Sequence, residues 1–244
     1  MIEAVFFDFF GTLVKWAPDA DEMQRDSAAA EGLAVDPAAV ARAYPAANAY
    51  MNEENARSRI AARSSEDRAR FFAEYERRLL AAAGYDVELA LAGRIWARVQ
   101  ATQKELAPFD DAVPALQALR EAGLKLGVVS NMGRELASIL EHLGLAAHLD
   151  SWMSSEEAGV AKPHAAIFKA ALDQAGVRAD AALFIGDSYE SDVLGAQDAG
   201  MPAALLLRDL EAAAPPGCAV VRTLGEVLGH ARGLGLQPGR TRKG

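Results

Sequence analysis

Four short, mostly apolar runs limit how this chain can fold more than any other feature. They are Ile2 to Phe7, Leu124 to Val129, Ala181 to Ile185 and Ala203 to Leu207. Their β-forming residues do not alternate with polar ones, which predicts strands buried on both faces. The first run stops at Asp8, with Gly11 and Thr12 following as a turn. The second stops at Ser130-Asn131 and the third at Gly186-Asp187. Weaker strands are expected at Leu149 to Met153 and Ala219 to Arg222.

Helices are predicted between these runs. Asp110 to Ala122 carries Val113, Leu116 and Leu119 at a three-residue step and stops at Gly123. Arg134 to Leu143 stops at Gly144, and His164 to Ala175 at Gly176. Asp192 to Ala199 stops at Gly200, with Pro202 two residues on. Strands alternating with short helices specify an α/β fold, a doubly wound parallel sheet with right-handed crossovers. Residues 16–107 break the alternation. They are rich in Ala, Glu and Arg, with helical periodicity over Arg70 to Ala83 and Leu89 to Thr102, and with Pro18 and Pro108 near the two ends. The expected organisation is therefore a core domain of residues 1–15 and 108–232, an inserted helical domain of residues 16–107, and a flexible tail of residues 233–244.

Bulk composition narrows the function classes. The 244 residues carry a formal net charge of −9, and an acidic excess repels phosphate backbones, so nucleic acid is not an expected partner. The lone Cys218 rules out an internal disulfide framework or a cysteine-cluster metal site. His142, His148, His164 and His230 have no ligand spacing. The opening MIEAVFFDFFGTLV is interrupted by Asp8, and no stretch approaches the roughly 20 apolar residues of a membrane span. A soluble, cytoplasmic protein is expected.

Ligands of open parallel sheets bind beyond the C-terminal ends of the strands. Asp8, Ser130-Asn131, Lys162 and Asp187 all sit at or after such ends, and their types suit phosphoryl transfer. A carboxylate can attack phosphorus, a second can share a magnesium ion with it, and a lysine and a hydroxyl or amide can neutralise the transferring oxygens. Two carboxylates about 4 Å apart repel by roughly 4 kcal/mol at an effective dielectric near 20. Bringing Asp8 and Asp187 together therefore calls for a cation, or for a proton on one of them.

DFFGT at Asp8 to Thr12 resembles the first motif of the haloacid dehalogenase superfamily. Val128 to Asn131, VVSN, resembles the second and Lys162-Pro163 the third. Gly186 to Asp192, GDSYESD, followed by Val193 to Ala196, resembles the fourth. The resemblance implies a Rossmann-like core whose helical insertion is a small cap. It also implies hydrolysis through a covalent aspartyl intermediate. Asp8 would be the nucleophile, with Mg²⁺ held by Asp8, the Phe10 carbonyl and Asp187. Ser130 and Lys162 would be catalytic, Thr12 and Asn131 would bind substrate, and Asp192 would support Lys162 or a metal-bound water. The expected partner is a small anionic substrate, most simply a phosphorylated metabolite; no membrane partner is expected, and a homodimer is left open.

Phe10 departs from the pattern, because phosphatases of this superfamily usually carry an acid–base aspartate there. A phenyl ring cannot move a proton, a job typically worth about 10²- to 10⁴-fold, or roughly 3 to 5 kcal/mol of barrier. The alternatives are a metal-independent 2-haloacid dehalogenase, since halide leaves without a proton, and a non-catalytic relative that binds a phosphorylated ligand or a protein. Retention of Gly186-Asp187 favours the magnesium phosphatase. The cap acids Glu31, Glu53 and Glu54 are further candidates for proton transfer, although ordinary solvated charge is the stronger reading of each. Trp16 is a candidate for the substrate entrance or for hinge packing.

Overall fold

The computed structural model describes residues 2–58, 60–209 and 212–235. The chain divides into two compact units: one holds the residues up to Lys15 and those from Leu106 on, the other Trp16–Glu105.

Among the described residues eight strands are formed: β1 (Ala4–Phe7), β2 (Val14–Ala17), β3 (Glu105–Pro108), β4 (Lys125–Ser130), β5 (Ser151–Ser154), β6 (Ala182–Gly186), β7 (Ala203–Leu206) and β8 (Val220–Val221). Six make one sheet in the order β5-β4-β1-β6-β7-β8, and β2 and β3 pair separately. The six-stranded sheet is parallel at every junction, so the fold is the Rossmann-like α/β expected. The weak runs form the two edge strands, β5 and β8.

The unbroken apolar runs are explained by a core on each face. Val5 and Phe7 of β1 pack with Leu126, Val128, Leu183 and Ile185 and with Leu116, Leu119 and Leu140 of the helices on one side. Ala4 and Phe6 pack with Val129, Phe184, Ile167 and Phe168 on the other. The chain runs from β1 outward through β4 and β5, then returns to lay β6, β7 and β8 on the opposite side of β1. That reversal opens a crevice at the C-terminal end of β1, where open sheets bind ligands. Phe7 is in register with Val128 and Ile185, so Asp8 leaves the sheet level with Val129 and Gly186, one residue short of Ser130 and Asp187.

The helix expected over Asp192 to Ala199 begins earlier and differently. Tyr189–Leu194 is a single π-type turn that leads into a short α-helix, Gly195–Asp198. Its start is tied by the Ser191 N–H to the Ser188 hydroxyl, 3.2 Å, and π-turns of this kind cluster at functional sites. At the other end of the unit, the helix Val227–Gly233 and the Ile2 N–H to Gly235 carbonyl bond, 2.7 Å, carry regular structure past the expected boundary at 232. Residues 236–244 of the expected tail lie outside the described residues.

The second unit is helical. Ala20–Ala30, Pro37–Arg57, Ser65–Ala82 and Leu89–Ala101 surround a core of Val40, Ala43, Ala47, Tyr75, Leu79, Leu80 and Ile95. Asp36 caps the second helix by accepting from the Ala38 N–H, with Pro37 at the first helical position. Ser64 caps the third by accepting from Asp67. Among the described residues no helix is long and apolar enough to cross a membrane.

Candidate active site

The β1 strand delivers Asp8 into the crevice, nearly buried. The loop that follows is a tight turn. The Leu13 and Val14 N–H groups both donate to the Phe9 carbonyl, at 2.9 and 3.0 Å, and the Gly11 N–H donates to the Val14 carbonyl, 2.8 Å. Gly11 has φ +88°, and a Cβ there would lie 2.3 Å from the Asp187 Oδ2. The turn can therefore press against Asp187 only if residue 11 is glycine.

Lys162 arrives from the loop beyond β5. Its ammonium donates to the Asp8 carboxylate and, at 2.6 Å, to Asp192 Oδ1. The Asn131 side chain fixes the Lys162 backbone from both sides: it accepts the Lys162 N–H at 2.7 Å and donates to the Lys162 carbonyl at 3.1 Å. Asp192, buried on the π-type turn, also accepts the Ser188 N–H at 3.0 Å. A Cβ at Gly186 would lie 2.3 Å from the Asp192 carboxyl carbon, so the glycine before Asp187 makes room for a side chain six residues further on.

Carboxylate oxygens of Asp8, Asp187 and Asp192 all lie within 4.8 Å of one another. Burial pushes the Asp8 carboxyl up to about 6; the Lys162 charge opposes this, and Asp192 and Asp187 add to it. Asp187 is raised by burial and by Asp192. Burial would depress the Lys162 ammonium, but Asp8 and Asp192 outweigh it and hold the pKa above its ordinary value. Three carboxylates and one ammonium leave two uncompensated negative charges in a small space. A divalent cation fits that donor set. Hard oxygen ligands are what Mg²⁺ takes, and Asp187 keeps part of its surface open to solvent.

A cavity of about 300 Å³ is lined by Asp8, Phe10, Ser130, Asn131, Met132, Lys162, Asp187, Ser188, Ser191 and Asp192. All the predicted site residues except Thr12 thus meet at one place. Thr12 is fully buried, outside that lining, and its hydroxyl makes no hydrogen bond to another described residue. Phe10 is 45% exposed and forms part of the wall. The cavity lining also includes Met132, Ser188 and Ser191, which sequence reasoning did not single out, although the two serines lie inside the GDSYESD motif. Arg208 was missed too: it donates to the Thr12 carbonyl and to Asp111, and its charge is among those that favour ionised Asp187. Of the cap acids, Glu31 is paired with Arg94 and Arg98 and Glu54 with Arg57 and Arg63.

Known proteins agree with this architecture. The chain is 42% identical over 100 residues to haloacid dehalogenase-like hydrolase domain-containing protein 3 of Danio rerio, covering 41% of each chain. It is 39% identical over 97 residues to a glyceraldehyde 3-phosphate phosphatase of Methanopyrus kandleri, covering 39% of this chain and 42% of that one. These alignments thus span about two fifths of the curated relatives' own length. The crystal structure of a HAD phosphatase from Thermococcus onnurineus superposes with a TM-score of 0.56 at 22% identity, covering 97% of this chain and all of that one. The family model for haloacid dehalogenase-like hydrolases matches residues 2–200, so the chain belongs to that family.

Proposed function

We propose that the protein is a magnesium-dependent phosphatase that acts on a small phosphorylated metabolite through an aspartyl phosphate at Asp8. The observation that carries this reading is the charge arrangement: Asp8 buried against Lys162, with Asp187 and Asp192 within 4.8 Å. The Asp8 and Asp187 carboxylates and the Phe10 carbonyl would hold the ion. Bound there, magnesium would keep Asp8 ionised and draw charge from the phosphoryl oxygens.

The residues then divide the work. An Asp8 oxygen attacks phosphorus, and the phosphorus–oxygen bond to the leaving group breaks; the departing oxygen takes a proton from water. Water next attacks the phosphorus of the acyl phosphate, the bond to Asp8 breaks, and inorganic phosphate and the free carboxylate result. Lys162, held between Asp8 and Asp192, fixes the nucleophile's direction and offsets charge on the phosphoryl group. The Ser130 hydroxyl and the Asn131 N–H face that group, while the Asn131 side chain serves the Lys162 loop. Phe10 can neither give nor take a proton, so the site is suited to substrates whose leaving group departs readily. The helical unit Trp16–Glu105 would act as the cap that selects the substrate and excludes water. The curated relative named as a glyceraldehyde 3-phosphate phosphatase supports a small phosphate ester.

Phe10 in the cavity wall also suits the 2-haloacid dehalogenase reading. The two uncompensated negative charges weigh against it, because a metal-free site of that sign repels a carboxylate substrate. Phosphate release from an aryl phosphate settles the matter. Release that requires Mg²⁺ and is lost with EDTA and in Asp8→Asn is the expected result. Chloride release from 2-chloropropionate without metal, or silence in both assays, refutes it.

A further inference from the structure

Arg208 lies two residues beyond β7 and joins three separated segments. Its terminal nitrogens donate to both Asp111 oxygens, at 3.1 and 3.0 Å, and one of them also donates to the Thr12 carbonyl, 3.0 Å. Its guanidinium lies 3.8 Å from the Phe109 ring centroid. Asp111 is itself held by the Leu224 N–H, 2.9 Å, and the Phe109 N–H donates to the Leu13 carbonyl, 2.9 Å. The planar fork thus grips the far side of the turn whose near side, at Gly11, abuts Asp187. A lysine could not make these contacts together, because its ammonium is a point donor without the planar fork.

We propose that Arg208 is a positioning residue for the cation site: by bridging the Thr12 carbonyl and the Asp111 carboxylate it fixes the Phe9–Val14 turn, and so the position of the Phe10 carbonyl that the magnesium reading assigns to the ion. The inference rests on the magnesium reading of that site. Arg208 touches neither substrate nor ion. Its role is to keep the turn from relaxing away from Asp187, which is how outer residues tune metal sites.

The test is calorimetric titration of Mg²⁺ into the full chain as wild type, Arg208→Lys and Asp111→Asn, with Arg178→Lys as control, because Arg178 is exposed and pairs with Asp180. Arg208→Lys keeps the charge and loses the fork, so the comparison reads geometry. Its dissociation constant is expected to rise by about 10-fold or more, and that of Asp111→Asn to move the same way. Phosphate release should need more Mg²⁺ for half-saturation yet return to within about twofold of wild type when saturated, a pattern that general loss of structure does not give. If Arg208→Lys does not fold, Asp111→Asn decides by the same readouts. Wild-type binding with unchanged affinity in the folded variants overturns the role of Arg208 and leaves the magnesium reading standing. Absence of Mg²⁺ binding to wild type overturns both.

Discussion

Replacing Glu76 by glutamine should make the protein more stable at pH 8 and leave it nearly unchanged at pH 4.5. Glu76 is fully buried in the helical unit. The Gln24 amide donates to its Oε2 at 2.9 Å, while the Oε1 atoms of both side chains are buried with no hydrogen-bond partner among the described residues. A proton on Glu76 removes the buried charge and supplies the missing donor. Burial accordingly raises the carboxyl from its ordinary 4.5 to about 7, with the Gln24 bond pulling the other way. Between those values the folded chain keeps a proton that the unfolded chain has released, so stability falls as pH rises. At 1.36 kcal/mol per pH unit the loss accumulates to about 3 kcal/mol by pH 7 and stays constant above it. Glutamine has the shape of the protonated acid and does not titrate. Urea unfolding of wild type and Glu76→Gln at a series of pH values gives the difference directly, because all other titrations cancel. The difference should rise from near zero at pH 4.5 to about 3 kcal/mol at pH 7. A flat difference across that window would show that Glu76 is ionised in the folded state and would refute the reasoning.

Other outcomes follow from the site. Phe10→Asp should raise phosphate release by about 10-fold or more, most for alkyl phosphates, because it restores a proton donor to the cavity wall; steady-state rates on alkyl and nitrophenyl phosphates test this, and an equal or negative effect on both would mean that protonation is handled elsewhere. Gly11→Ala should lose Mg²⁺ binding by about 10-fold or more, since its Cβ would fall 2.3 Å from Asp187 Oδ2 in a left-handed turn; calorimetric binding as tight as wild type would show that the turn and Asp187 do not share the ion. Because burial lifts Asp8 to about 6 in the absence of a cation, Mg²⁺ binding at pH 5.5 should release protons and at pH 8 should release almost none. Titration in buffers of different ionisation enthalpy measures this, and equal proton release at both values would exclude Asp8 as the group displaced.

The legible part of the molecule and the illegible part differ by the distance along the chain over which each is decided. The strands were readable because burial on both faces demands continuous apolar runs, and their polar stops mark where β1, β4 and β6 leave the sheet. Asp8, Ser130, Lys162 and Asp187 therefore announced a common crevice. The helices at Ala20–Ala30 and Pro37–Arg57 were less visible: alanines fill much of their buried faces, and Pro45 interrupts the second, so the periodic signal that marked Leu89–Ala101 is weak. The supporting contacts left no local trace at all. Arg208 reaches Thr12 across 196 residues, Gln24 reaches Glu76 across 52, and Asn131 reaches Lys162 across 31. No spacing rule connects such partners, because what pairs them is the fold: the sheet order for Arg208 and Asn131, and the packing of two helices for Gln24 and Glu76. Once β4, β1, β6 and β7 lie side by side, the loops after their ends must satisfy one another's buried polar groups. The family motifs thus mark the residues suited to the chemistry, whereas the way they are held depends on contacts the motifs do not spell: the grip of the Asn131 side chain on the Lys162 backbone, and Arg208, which lies outside every motif. Thr12 shows the same logic in reverse. It belongs to the motif by position, yet the turn that brings Gly11 against Asp187 turns its hydroxyl into the core and leaves its carbonyl to Arg208.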